Sequence, residues 1–280
     1  MKTVVFFILA AVCWWGGLLV STEAADDSPP SAAEARWTDT PPVLDGRLDE
    51  LAWQTAMVLT NFHQAWLGPD HRPAAATRAR MLWDWEYLYF AAELEDSDLV
   101  ATVTAHDGPL WEADVFELFF RPNLERPAYY EFEVNPLNTG FDAFFPTAKA
   151  WLEGRRWHTN RPFHLETAVR VDGTIGRADD RDRGWTVEGR LPWRDFLSTG
   201  GRPEPGDIWR FSLCRIDHRS GDRVGELSAT AALREPSFHR TDDYASLRFV
   251  GPPWLPASGN ELGWATSKLV GSPEPPPAFE

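Results

Sequence analysis

Cysteine is nearly absent from this chain: Cys13 falls inside the apolar N-terminal run and Cys214 stands alone after it. No internal disulfide can then staple the fold, so a core must hold it. Basic residues are also scarce, with 27 Lys and Arg against 42 Asp and Glu and a formal net charge of -15. Nucleic acid and anionic membrane are recognised through clustered Lys and Arg, so neither is an expected partner, and a neutral or cationic ligand suits the chain better. Nucleophile and phosphate signatures are missing too. There is no Gly-x-Ser-x-Gly elbow, no Gly-rich phosphate loop, no His-Glu-x-x-His pair and no Cys-x-x-Cys-His haem attachment.

What the chain does have is apolar and aromatic mass. At 280 residues with 43% hydrophobic content it can bury a substantial core. Its 15 tryptophans serve chiefly as core, yet an indole face is also a stacking platform for flat apolar ligand surfaces. Residues 1–24 read as a secretory signal, with Lys2 before an apolar run and Thr22-Glu23-Ala24 as the cleavage region. The expectation is a secreted or periplasmic protein with no stable membrane insertion once the signal is removed. A polar linker over 25–39 leads to one domain over 40–250. Residues 251–280 read as a Pro-rich arm carrying Trp254, Leu255 and Trp264.

Period-two alternation dominates that domain. An opening strand and turn is expected over 41–46 and a short amphipathic helix over 48–56, with Leu48, Leu51 and Trp53 inward. Strands follow over 77–83, 87–94, 139–145, 163–171, 185–191, 207–216 and 244–250, with a helical turn over 193–197. The most informative pair lies between them. In Val115-Phe116-Glu117-Leu118-Phe119-Phe120, Phe116, Leu118 and Phe120 share one face; in Tyr130-Glu131-Phe132-Glu133-Val134-Asn135, Tyr130, Phe132 and Val134 do the same. Antiparallel pairing with Phe120 opposite Tyr130 sets Glu117 opposite Glu133, an unfavourable meeting of like charges that something must relieve. An arginine from a neighbouring strand, Arg80 or Arg215, is the expected relief. Many short alternating strands with few helices predict an all-β, antiparallel β-sandwich of jelly-roll type with short helical turns.

Pro42-Val43-Leu44-Asp45-Gly46 with Trp53, Leu82-Trp83-Asp84 before Tyr87-Leu88-Tyr89, and Trp111-Glu112-Ala113-Asp114-Val115-Phe116-Glu117 stand in a telling order. Val187-Glu188-Gly189-Arg190-Leu191-Pro192-Trp193 and the closing Ser246-Leu247-Arg248-Phe249 complete it. Over residues 40–250 this set resembles the family 9 carbohydrate-binding modules. The resemblance implies a jelly-roll-like sandwich, often appended to glycoside hydrolases, that holds sugar chain ends between two tryptophans with charged side chains beneath. Carried over position by position, it implies Trp111 as a stacking platform, Glu117 as a sugar-binding carboxylate and Asn135 as a polar contact. Phe238 stands at the second platform, His239 beside it is a candidate donor, and Glu133 stands where the family has an arginine.

A pyranose offers an apolar face and a rim of hydroxyls, which that inventory suits. The implied ligand is a saccharide, with a separate glycoside hydrolase as partner and no required cofactor. Catalysis by pairs drawn from Glu117, Glu131, Glu133 and Asp142 would need two carboxylates at a set separation, but acidic sheet faces are commonly just solvated, and no enzyme is expected. The alternative is a haem- or metal-binding redox sandwich, for which His63, His106, His158, His164, His239, Met57 and Met81 are the available ligands. Asp96 with Asp98, or Asp179-Asp180 with Asp182, permit a structural calcium without specifying it.

Overall fold

The computed structural model describes residues 33–152 and 163–252. The expected signal, the linker up to residue 32, the arm from residue 253 and His158 lie outside the described residues.

Alternation becomes strand almost everywhere it was read. In chain order the strands are β1 (Ala33–Trp37), β2 (His63–Gln64), β3 (Thr77–Trp83), β4 (Tyr87–Glu95), β5 (Val115–Arg121) and β6 (Tyr129–Val134), then β7 (Gly140–Phe145), β8 (Glu166–Asp172), β9 (Gly184–Pro192), β10 (Ile208–Asp217), β11 (Glu226–Ala229) and β12 (Ala245–Val250). The sheet runs β7-β6-β5-β10-β12-β1-β3-β4-β9-β8, with β11 on β10 and β2 on β11. It curls on itself into an all-β, nearly closed sandwich. Phe116, Leu118, Phe120 and Phe132 from one flank meet Leu88, Phe90 and Val187 from the other in a single core. Gly189, paired with Phe90 across β4 and β9, leaves room for that ring, since a Cβ at that position would lie 2.2 Å from it.

The structure departs from the expected elements in three places. The polar linker expected over 25–39 contains β1, which pairs in parallel with both β12 and β3. The Ala33-Glu34-Ala35-Arg36-Trp37 run alternates, but two of its three apolar members are only alanine. Its backbone is held on both sides, Ala35 fills the core, and Glu34 bonds Arg36 at 2.8 Å outside. The sandwich is therefore mixed rather than wholly antiparallel. Second, residues 41–46 are a loop, not a strand. The Glu188 carboxylate accepts the N–H groups of Asp45 (3.2 Å) and Gly46 (2.8 Å) and the Trp53 indole N–H (2.7 Å). Third, the helix α1 is only Leu51–Thr55. So short a turn buries one stripe, Trp53, while Leu51 is 77% exposed.

Candidate binding site

The side of β5 and β6 that faces away from the core carries the chemistry. Val115 and Phe119 join Tyr129, Phe141, Phe145, Cys214, Phe238 and Tyr244 in a second apolar layer. A cleft of about 370 Å³ opens beside it, lined by Glu117, Glu131, Glu133, Trp111, Phe141, Phe145, Trp151, Phe238 and His239 among others. That volume lies in the range of small-molecule sites.

The expected register holds, with Glu117 facing Glu133 across β5 and β6 and Phe120 facing Tyr130. Glu131 lies two residues along β6 on the same face. Carboxylate oxygens of the three glutamates lie within 4.8 Å of one another, and none of the three residues is more than 5% exposed. Burial, and then the neighbouring Glu131 charge, push the Glu117 carboxyl well above the ordinary range. The expected arginine relief does not come from Arg80 or Arg215. Arg80 bonds Glu93 at 3.0 Å. Arg215, opposite Phe116, points to the other face and pairs with Asp96 at 3.1 Å and Asp217 at 3.2 Å.

The rings sort into core and platform. Trp111, on a 3-10 turn over Leu110–Glu112, is partly exposed and meets the Phe141 edge at 5.7 Å and 90°. Phe238 lines the cleft but is only 7% exposed, wedged against Phe119 and Trp66. The indole better presented is one the sequence reading passed over. Trp151 is 37% exposed and stacks on the His239 ring at 4.6 Å and 13°. It belongs to no period-two run, and between Ala150 and Leu152 its indole carries no distinguishing sequence signal. His239 itself lies 2.9 Å from the Tyr129 hydroxyl through Nδ1, and burial lowers it to about 4. The ring is therefore neutral, and a Tyr129 hydroxyl donating to Nδ1 leaves the one ring N–H at Nε2.

Asn135 is not in the cleft. Its amide donates to the Val103 carbonyl at 2.8 Å and accepts from the N–H groups of Leu137 and Thr139, so it holds the turn between β6 and β7. The aspartates considered for calcium have other work: Asp96 pairs with Arg215, Asp98 binds Ser220, Asp179 pairs with Arg177, and Asp182 accepts from Leu99 and Thr174. The described candidates for haem ligation are spread out. Met81 is core, Met57 packs against it, His63 bonds the Asn61 carbonyl, His106 lies beside Asp142, and His164 pairs with Asp195.

A curled all-β sheet with aromatic rings over buried carboxyls on one face suits a ligand with a flat apolar side and a polar rim. The sequence profile of the family described as "Carbohydrate family 9 binding domain-like" matches residues 44–251, and the chain belongs to that family. Over 207 residues it is 28% identical to endo-1,4-beta-xylanase A of Thermotoga maritima, a match covering 70% of this chain and 16% of the xylanase. It is also 32% identical over 102 residues to exoglucanase XynX of Acetivibrio thermocellus, covering 36% of this chain and 8% of that one. The chain thus spans less than a fifth of these relatives, and the family they share with it is a binding module, not a catalytic domain. Among solved structures, the family 9 module of Caldicellulosiruptor kristjanssonii in complex with cellotriose has a like fold, with a TM-score of 0.55 at 16% identity over 83% of this chain and 97% of that one. Its complex with glucose gives a TM-score of 0.54 at 15% identity over 78% and 96%.

Proposed function

We propose that this is an exported saccharide-binding protein that stacks a sugar ring on Trp151 and Trp111 and fixes its hydroxyls with Glu117 and His239. The carrying observation is the cleft itself, where two partly exposed indoles stand beside buried carboxyls on the outer face of β5 and β6. An apolar sugar face needs the rings, and its hydroxyls need the fixed polar groups. Glucose and cellotriose bind the Caldicellulosiruptor module of like fold, so β-glucan ends are the first ligands to try. Family membership beside xylanases and an exoglucanase supports action alongside a separate glycoside hydrolase. Export rests on the character of residues 1–24.

A glycan array probed with the protein tests the binding reading. Retention on oligosaccharides, lost in Trp151→Ala at unchanged melting temperature, is the expected result. No retention on any glycan overturns the reading, and a Soret band in the purified protein would point to the haem alternative instead.

A further inference from the structure

His239 lines the cleft inside a box of rings. Phe119, Phe145 and Tyr129 meet it edge-on, with centroids 5.5, 5.4 and 6.0 Å away, and Trp151 lies flat on it at 4.6 Å and 13°. The chain just before it is pinned too, since the buried Tyr244 hydroxyl donates to the Phe238 carbonyl at 2.7 Å. A phenyl ring would fill this box as well as an imidazole. What histidine adds is a pair of ring nitrogens, and Tyr129 makes them unlike.

Tyr129 is 0% exposed, and among the described residues its hydroxyl has one hydrogen-bond partner, His239 Nδ1 at 2.9 Å. With the ring proton on Nδ1, the Tyr129 oxygen would accept it and the hydroxyl's own hydrogen would be buried without an acceptor. Leaving a buried donor unpaired disfavours that arrangement about tenfold or more. The hydroxyl therefore donates to Nδ1, and the only ring N–H stands at Nε2, on the far side of the ring from Tyr129. A doubly protonated ring is disfavoured on the same ground, and burial acts in the same sense by lowering His239 to about 4.

We propose that Tyr129 is the positioning residue of this site, fixing His239 as a one-way Nε2–H donor to a sugar oxygen and as the flat backing of the Trp151 platform. The inference rests on the saccharide-binding reading and names the group that orients its donor. A donor-only nitrogen asks for an acceptor at one fixed place, an oxygen of a sugar stacked on the face of Trp151 turned away from His239. Charges around the ring do not supply this order. β5 and β6 bring Glu117, Glu131 and Glu133 to the cleft, and β7 brings only Phe141 and Phe145. Lys149 lies two residues before Trp151, and Arg240, next to His239, pairs with Glu235 and Asp243. Carboxylates favour a charged imidazole, whereas the Tyr129 bond requires a neutral one.

The test is nitrogen NMR of the histidine rings in the full chain, paired with calorimetric titration of cellotriose and of xylotriose at neutral pH. The His239 signals are those missing from His239→Phe. The expected result is a His239 ring protonated at Nε2 alone, whose Nε2 signal shifts when the trisaccharide is added. Tyr129→Phe keeps every ring of the box. It should mix the two tautomers, raise the His239 titration midpoint by at least about one pH unit and weaken binding at least about threefold. His239→Phe keeps the backing and loses the donor, so it should weaken binding about tenfold with little change in melting temperature. A wild-type ring protonated at Nδ1 overturns the inference. So does a loss of affinity in Tyr129→Phe with tautomer and midpoint unchanged, since that is a structural effect alone. Unaltered affinity in both variants, with binding lost in Trp151→Ala, overturns it and leaves the binding module standing. No binding of either sugar overturns both. Should Tyr129→Phe fail to fold, the wild-type tautomer and the His239→Phe affinity decide.

Discussion

Single residues divide into those that hold the fold and those that face the ligand, and exposure tells them apart. Trp151 is 37% exposed and stacks on His239, so Trp151→Ala should weaken saccharide binding at least about tenfold while changing stability within about 0.5 kcal/mol. Phe238 occupies the place that family likeness reserves for a platform, but its burial against Phe119 and Trp66 gives it the cost of a core ring. Phe238→Ala should cost about 3 kcal/mol, read in urea denaturation, so its effect on binding must be measured well below the melting temperature. Asn135→Ala belongs with it: two hydrogen bonds within the β6–β7 turn and one to the Val103 carbonyl are lost, and affinity for sugar stays. Glu117 opposite Glu133 was legible because strand side chains alternate strictly and one aromatic pair fixes the register. Trp151 and the roles of Arg80 and Arg215 were not, because a residue in a loop has no period and a charge finds its partner through the tertiary fold.

At the scale of elements, most strands could be read from alternation to within a residue or two, and the failures share a cause. β1 and the loop over 41–46 are held by backbone groups, which every residue possesses, so their side chains do not announce them. The loop is fixed from a distance by Glu188 on β9. This explains why Leu44-Asp45-Gly46, Trp53 and Val187-Glu188-Gly189 occur together in one sequence. Gly46 sits at φ +80°, and a Cβ there would lie 3.0 Å from the Arg170 backbone nitrogen. Gly46→Ala should therefore cost at least about 1–2 kcal/mol. Glu188→Ala strands two buried donors and a half-buried one and should cost about 3 kcal/mol or more. Both appear as a lower urea midpoint, and a midpoint unchanged in Glu188→Ala would show that the loop is held by something else.

For the whole molecule, an excess of negative charge has been drawn inside as well as spread over the surface. Near one end of β10, Asp96, Asp114 and Asp217 share a buried site with the single guanidinium of Arg215. Asp114 also accepts the N–H groups of Val100 (2.6 Å) and His218 (2.7 Å). These bonds and the arginine favour the ionised forms, but burial outweighs them, with carboxylate repulsion adding to it. Asp96 rises to about 7 and Asp114 to about 8. Both folded values lie above those of the unfolded chain, so the folded state binds more protons between about pH 4 and pH 8. Their contribution to stability is complete below the unfolded value near 3.8 and is lost as pH rises through 7 and 8. Asp243 and His239 act in the opposite sense: pairing with Arg234 lowers Asp243, with its loss at more acid pH, and burial lowers His239 to about 4, so its opposition sets in as pH falls below the unfolded value near 6.5 and offsets part of the gain from the two aspartates there. The protein should accordingly melt highest in mildly acid buffer and lose stability steadily toward pH 8. Asp114→Asn keeps an acceptor for one of the two N–H groups and removes the titration, so its melting temperature should vary less with pH over that window. A wild-type melting temperature that rises from pH 5 to pH 8 would mean that Arg215 and the backbone donors win over burial, and that Asp96 and Asp114 are ionised together in the folded protein.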